Sequence, residues 1–259
     1  MTITISKSLF VGLVSLLSLG CGDASVERIG LPKDLREISG LAVDGNSLLA
    51  VADESSRIYR IKFDEGLVEY VGALGEPMIK GDFEGIALAG DTIYLITSDG
   101  LLYRRSIDGD DQNYEVFDTG FGELCEIEGL ELVGSRAYIL CKTARDETVE
   151  EHLTVLVWDV EQNRVEPDAG MSISWMDLDI SKRLHPSALT FVDGQWLVLA
   201  ARQQRWLLLD SKGQYLRGGK LPNRESHPQA EGVAVLGEFT YLADEGKKTG
   251  TLTRYRGRF

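Results

Sequence analysis

Three glutamates stand in near-identical surroundings: Glu84 in "GDFEGIAL", Glu128 in "CEIEGLEL" and Glu231 in "PQAEGVAV". Each precedes a glycine and an apolar run, and each has a polar residue two places earlier: Asp82, Glu126 and Gln229. Carboxylates drawn to one place must raise their pKa values, find cationic partners or bind a metal. An all-oxygen donor set with no obligatory histidine or cysteine suits a hard cation such as Ca2+. Glu84, Glu128 and Glu231 are therefore the candidate metal ligands. The competing expectation is structural: a glutamate at a strand start accepts backbone N–H bonds from its neighbour, as buried polar groups do whatever the function.

Two further stretches, "REISGLAV" and "LHPSALTF", put Ser39 and Ser187 in the glutamate's place. From Ser39 through Glu84, Glu128, Ser187 and Glu231 the steps are 45, 44, 59 and 44 residues. An insertion explains the long step: "TARDETVEEH" lengthens a loop and "MSISWMDLDISKRL" lengthens the next connector. Each copy continues with a short polar turn, a hydrophobic second strand and a third strand. Four copies add a fourth, more polar strand such as "LVEYVGAL". Alternation has period two, with no sustained helical periodicity. Four antiparallel strands in about 45 residues is the signature of a β-propeller blade. The expected fold is all-β: a single propeller of five four-stranded blades, or six if the insertion hides another hairpin. The last copy stops after its third strand at Phe259, while "SVERIGLPKDLREISG" resembles a fourth strand running into the next blade. The N-terminal strand is thus expected to complete the last blade and close the ring, removing open edges.

In a propeller, first strands line the central channel, and second strands return to the face where the first strands begin. That crowds Glu37, Asp53, Asp82, Asp99, Glu126, Lys142, Arg202 and Asp244 around one channel mouth as ligand-binding candidates. Lys142 and Arg202 could act as cationic partners from neighbouring blades. Gly40, Gly85, Gly129 and Gly232 let the backbones approach where the ring is narrowest. Cys125 begins a first strand and Cys141 ends the adjoining second one, which suits either a disulfide or two buried thiols. His185 and His227, each followed by proline, read as connector residues. Three histidines without paired spacing argue against zinc. No G-x-S-x-G elbow, phosphate loop or dinucleotide glycine motif appears, so no nucleotide or haem site is expected and no catalytic residue is assigned.

The chain begins "MTITISKSLFVGLVSLLSLGCGD", with one lysine, an apolar run from Leu9 to Leu19, and Gly20-Cys21. This is the layout of an export signal, and the run is too short for a comfortable membrane span. Residues 1–20 are expected to be a lipoprotein-type signal peptide, Cys21 the lipidated residue, and 21–259 the propeller domain. Ser18 stands where a lipobox prefers leucine, and the alternative is an ordinary secretory signal. The expected location is a bacterial membrane, facing the periplasm or the outside, with membrane contact through the lipid anchor only. There are 27 basic and 41 acidic residues; losing Lys7 with the leader leaves 26 − 41 = −15. Such a surface disfavours nucleic acid and anionic headgroups and favours cations.

The ordered set "ISGLAV", "GDFEGIAL…IYLITSDGLLYR", "CEIEGLEL…AYILCK", "HPSALTF…WLVLAARQQRWLLLDSKG" and "PQAEGVAV" resembles the SdiA-regulated family of bacterial exported β-propeller proteins. The resemblance spans roughly residues 27–259 and implies a propeller in the cell envelope, with no established catalysis to carry over. The more distant phytase-like propellers bind calcium through acidic channel residues, which looks similar to Glu84, Glu128 and Glu231. Sugar-lactonase-like propellers place asparagine among their metal ligands, whereas Asn46, Asn113, Asn163 and Asn223 here fall in turns or connectors. The function expected first is a tethered module that binds a small ligand or an envelope protein. A metal-dependent hydrolase of phosphate or lactone esters and a purely structural scaffold are the alternatives.

Overall fold

Both faces of most strands are apolar, so the sheets must be covered on both sides, and a ring of radial blades does this. A computed structural model of the chain describes residues 10–11, 26–178, 183–222 and 225–259. Cys21 and the leader, apart from Phe10–Val11, lie outside the described residues. The five antiparallel sheets run from axis to rim. Blade 1 is Ile38–Asp44, Ser47–Ala52, Ser55–Lys62 and Leu67–Gly72, with Phe10–Val11 paired at its outer edge. Blade 2 is Phe83–Ala89, Thr92–Thr97, Leu101–Ser106 and Glu115–Asp118. Blade 4 is Ala188–Val192, Gln195–Ala200, Arg205–Asp210 and Tyr215–Lys220.

Blade 5 shows how the ring closes. Its strands Ala230–Leu236, Phe239–Asp244 and Thr251–Arg256 are completed by Val26–Gly30 from the opposite end of the chain. Arg254, directly opposite Glu27, pairs with it at 2.5 Å and with Asp64 of blade 1 at 2.5 Å. Its guanidinium lies 4.5 Å from the ring centres of both Phe63 and Phe239. One residue therefore ties three separate segments at the closure.

Blade 3 carries the insertion without becoming two blades. Cys125–Val133, Arg136–Ala144 and His152–Asp159 are followed by a rim strand in two pieces. Arg164–Val165 pairs with Trp158 and Asp159, and Met171–Ser174 pairs with His152 to Val155. The "MSIS" expected to lie in a connector is thus a rim strand, interrupted by the polar turn before it. The loop at 143–152 holds one helical turn, Glu147–Glu150, capped where the Thr148 N–H donates to the Asp146 carboxylate.

Among the described residues apolar side chains collect between adjacent blades rather than in one central core. "SLLAVA" at Ser47–Ala52 is buried throughout because both of its faces meet another blade. Between blades 3 and 4, Trp196 is 1% exposed, with Tyr138 and Phe191 ring centres 4.5 and 4.6 Å away. Each such fully buried apolar side chain contributes about 1.5–3 kcal/mol. At the axis the inner strands nearly touch: a Cβ on Gly85 would stand 2.8 Å from the Leu130 Cβ. Among the described residues no helix is long and apolar enough to cross a membrane.

Candidate functional site at the channel mouth

Four inner strands slip register at the same place. Ile38 pairs with Ala52 and Gly40 with Val51, leaving Ser39 unpaired between them. The same slip isolates Glu84 between Phe83 and Gly85, Glu128 between Ile127 and Gly129, and Glu231 between Ala230 and Gly232. A β-bulge bends the strand and re-aims the extra side chain. Here Phe83, Ile127 and Ala230 keep packing between blades, while the extra glutamate turns toward the axis. A polar residue followed by glycine, Ser39-Gly40 or one of the three Glu-Gly pairs, is the sequence mark of this bulge.

The three glutamates line an axial cavity with Ser39, the inner-strand glycines and Ala188. Its volume is about 10 Å3, at the lower limit of the room one water needs. The axis between the carboxylates therefore has no room for anything larger than a water. Register also identifies the second-strand residues that face them. The inner-strand partners of the bulge end at Ala52, Thr97, Cys141 and Asp244, and the next residues are Asp53, Ser98, Lys142 and Glu245. Ala201 holds the equivalent place in blade 4.

Charge at the mouth is tightly coupled. Glu128 is 1% exposed; Lys142 Nζ donates to its Oε1 at 2.5 Å, and its Oε2 has no partner. Burial pushes the Glu128 carboxyl up to about 8 against the pull of Lys142. Burial, with Glu128 and Asp82 adding repulsion, pushes Glu84 up to about 10. Glu245 rises to about 9 through burial and its hydrogen bond with Glu231, and Asp53 to about 6 through burial and the Glu37 charge. Burial works against the Lys142 ammonium, yet Glu128, Glu231 and Glu84 outweigh it and hold its pKa above the usual lysine range. At neutral pH several of these acids keep their protons, and Lys142 keeps its charge.

The remaining sequence candidates are spread more widely. Glu37 binds Arg36 at 2.6 Å, which lowers its pKa. Asp82 is exposed and accepts from Ser98 Oγ at 2.5 Å; Asp99, also exposed, accepts from Thr97 Oγ1 in its own turn at 2.5 Å. Glu126 is half-buried beside Glu128 and His185. Arg202 is exposed on the 3-10 turn Ala201–Gln203. It stands near His185, whose pKa is lowered by burial first and then by Arg202, Arg183 and Lys142. Glu231 accepts from Gln229 Nε2 at 2.9 Å.

Asp244 requires a correction: it does not reach the mouth. It lies opposite Ala230, so its side chain shares the face that packs between blades 4 and 5. There it is 0% exposed, with its carboxylate 2.6 Å from His227 Nδ1, and His227 Nε2 is 2.6 Å from the Tyr255 hydroxyl. The connector residue His227 is thus a buried bridge between strands. Glu245, one place later, takes the mouth position. Aligning second strands by the bulge rather than by their polar ends is the signal that finds it.

The serines of the repeat behave differently from the glutamates. Ser39 Oγ donates to the Phe83 carbonyl at 2.6 Å, and Ser187 Oγ to the Ala230 carbonyl at 2.8 Å. Both bonds cross from one blade to the next. Cys125 and Cys141 are joined in a disulfide, with Cα atoms 5.6 Å apart. It brackets a stretch where Glu126 pairs with Thr143 and Ile127 with Cys141, leaving Lys142 unpaired. Both members of the Glu128–Lys142 pair therefore sit on bulges of one hairpin.

Among the described residues no three His, Cys, Asp or Glu side chains converge as a ready-made metal-ligand group. Lys142 stands beside Glu128 where a Ca2+ shared by Glu84, Glu128 and Glu231 would need room. The oxygen-only donor set and the orphaned Glu128 Oε2 suit a cation, but a metal would have to displace that ammonium.

No protein-family model matches the chain, and no curated protein matches it. Solved structures do. The chain is similar to a glutaminyl cyclase of Myxococcus xanthus, with a TM-score of 0.61 at 13% identity, over 95% of this chain and 96% of that one. A chain of a nidogen/laminin complex matches with a TM-score of 0.51 at 18% identity, covering 86% and 83%. A luciferin-regenerating enzyme matches with a TM-score of 0.51 at 12% identity, covering 90% and 89%. At these identities the likeness bears on the fold alone, and the five blades are those of this chain's own sheets.

Proposed function

We propose that this propeller is a binding module of the bacterial envelope that takes a positively charged group into its acidic mouth. The observation that carries this reading is Glu128: a fully buried carboxylate with one oxygen held by Lys142 and the other without a partner. Leaving a buried charged acceptor unsatisfied costs free energy that a bound cation would recover. Glu84, Glu231, Glu245 and Asp53 bring further carboxyl oxygens around it, and Glu84 and Glu245 become anionic as a cation expels their protons. The export signal with Cys21, and the resemblance to the SdiA-regulated propellers, support the envelope location and the lipid tether.

The test is calorimetric titration of the purified domain with CaCl2 and, separately, with hexylamine, for wild type and Glu128→Gln. At least one probe should bind, more tightly at pH 8.5 than at pH 6.5, because a cation must expel protons held by Glu84, Glu128 and Glu245. Glu128→Gln should weaken it about tenfold or more. No heat from either probe at millimolar concentration would sink the reading.

A further inference from the structure

The mouth is not acidic all the way round. Blades 5, 1 and 2 bring Glu231 and Glu245, Glu37 and Asp53, and Asp82 and Glu84. Blade 3 brings Glu126 and Glu128 together with the counter-charge Lys142. Blade 4 brings no acid at all: its two axial places are Ser187 and Ala201. The Ser187 hydroxyl is turned away, donating to the Ala230 carbonyl and accepting the Ala201 N–H at 3.1 Å. The axial cavity is accordingly lined at blade 4 by Ala188 and Leu189 rather than by a polar side chain. Arg202, exposed, directly follows Ala201, and His185, two places before Ser187, feels the charges of Arg202, Arg183 and Lys142 against that of Glu126. In a five-membered ring, the side facing blade 4 lies between blades 1 and 2, where Asp53 and Glu84 are.

From this distribution we infer that the mouth recognises a dipolar small molecule. Its ammonium end goes to the acids of blades 1, 2 and 5, and its carboxylate lies on the blade 4 side against Arg202. The inference rests on the cation reading above and adds the second charge and its place. A ligand bearing only an ammonium leaves Arg202 without a counter-charge, and one bearing only a carboxylate meets the repulsion of the acidic arc. The unpartnered Glu128 oxygen at the axis, 1% exposed, marks where the two halves of the mouth meet. Arg202 acts here as a guanidinium suited to a planar carboxylate.

Three probes of one length separate the charges: 6-aminohexanoate, hexylamine and hexanoate, titrated into wild type and Arg202→Gln at pH 8. The expected order is 6-aminohexanoate about fivefold tighter than hexylamine, a gain of the size an exposed charge pair provides, with hexanoate silent. Arg202→Gln should bring 6-aminohexanoate down to the level of hexylamine with an unchanged melting temperature, since Arg202 is exposed. Equal binding of amine and amino acid, or a preference that survives Arg202→Gln, overturns the dipolar ligand while leaving the cation site. Binding of Ca2+ with no response to any organic probe also overturns it alone. Silence from Ca2+ and hexylamine together would remove the cation site and the inference with it.

Discussion

Blades 3 and 4 put opposite solutions in the same axial place. Blade 4 uses Ser187 and Ala201, and the serine's hydroxyl spends both its donor and an acceptor on backbone groups of blades 5 and 4. Nothing polar is left over. Blade 3 uses Glu128 and Lys142, bracketed by the Cys125–Cys141 disulfide, and it leaves one carboxylate oxygen without a partner in a site that is 1% exposed. Ser39 of blade 1 follows the blade 4 pattern, bonding to the Phe83 carbonyl of blade 2. Lacing one blade to the next therefore needs only a hydroxyl. The glutamates are surplus to that task, and their charge is a feature the ring tolerates at some expense in stability.

The comparison is most easily broken at Lys142. Lys142→Met removes the counter-charge of Glu128, whose pKa near 8 then rises further, so the acid keeps its proton to higher pH. Denaturant melts should show a loss that grows with pH, to about 2 kcal/mol near pH 9.5, and that nearly vanishes at pH 6 where Glu128 is protonated in both proteins. A loss independent of pH would mean that Glu128 is not the strained member of the pair.

Serine substitutions come next. Ser187→Ala strands both the Ala230 carbonyl and the Ala201 N–H and should cost about 2 kcal/mol; Ser39→Ala strands only the Phe83 carbonyl and should cost about 1 kcal/mol. Equal losses would show that the two serines do not differ as their bonds do.

The smallest expected effect has the opposite sign. Glu84 has a folded pKa near 10, against about 4.3 in an unfolded chain. Between those values the native state binds more protons than the unfolded one, so stability falls as pH rises. Thermal melts should therefore decline from pH 6 to pH 9. Glu84→Gln should flatten that decline and raise the melting temperature more at pH 8 than at pH 6. A wild-type profile that is flat across this range would contradict the burial of the acid cluster.

Much of this architecture was legible before any coordinates. The 44- and 45-residue steps, the alternating strands and the orphan N-terminal strand specify five blades and their closure, because each is a local pattern repeated along the chain. Which polar residue faces the axis was less legible. Asp244 and Glu245 are adjacent and both acidic, and one bulge decides that the first is buried against His227 while the second meets Glu231. The split rim strand of blade 3 was obscured for a similar reason: Met171–Ser174 is only four residues long and follows a polar turn.

By itself the sequence determined the repeat, the fold class, the glycines that let the inner strands approach, and the presence of glutamates beside them, since all of these follow from residue type and period. Only the tertiary structure decided that Glu128 pairs with Lys142, that Ser39 and Ser187 lace the ring, and that blade 4 leaves a gap in the acidic mouth. Those outcomes depend on register across strands and on which blades become neighbours. A single-residue slip reverses the face of a side chain, and the local record of that slip is a glutamate or serine followed by a glycine.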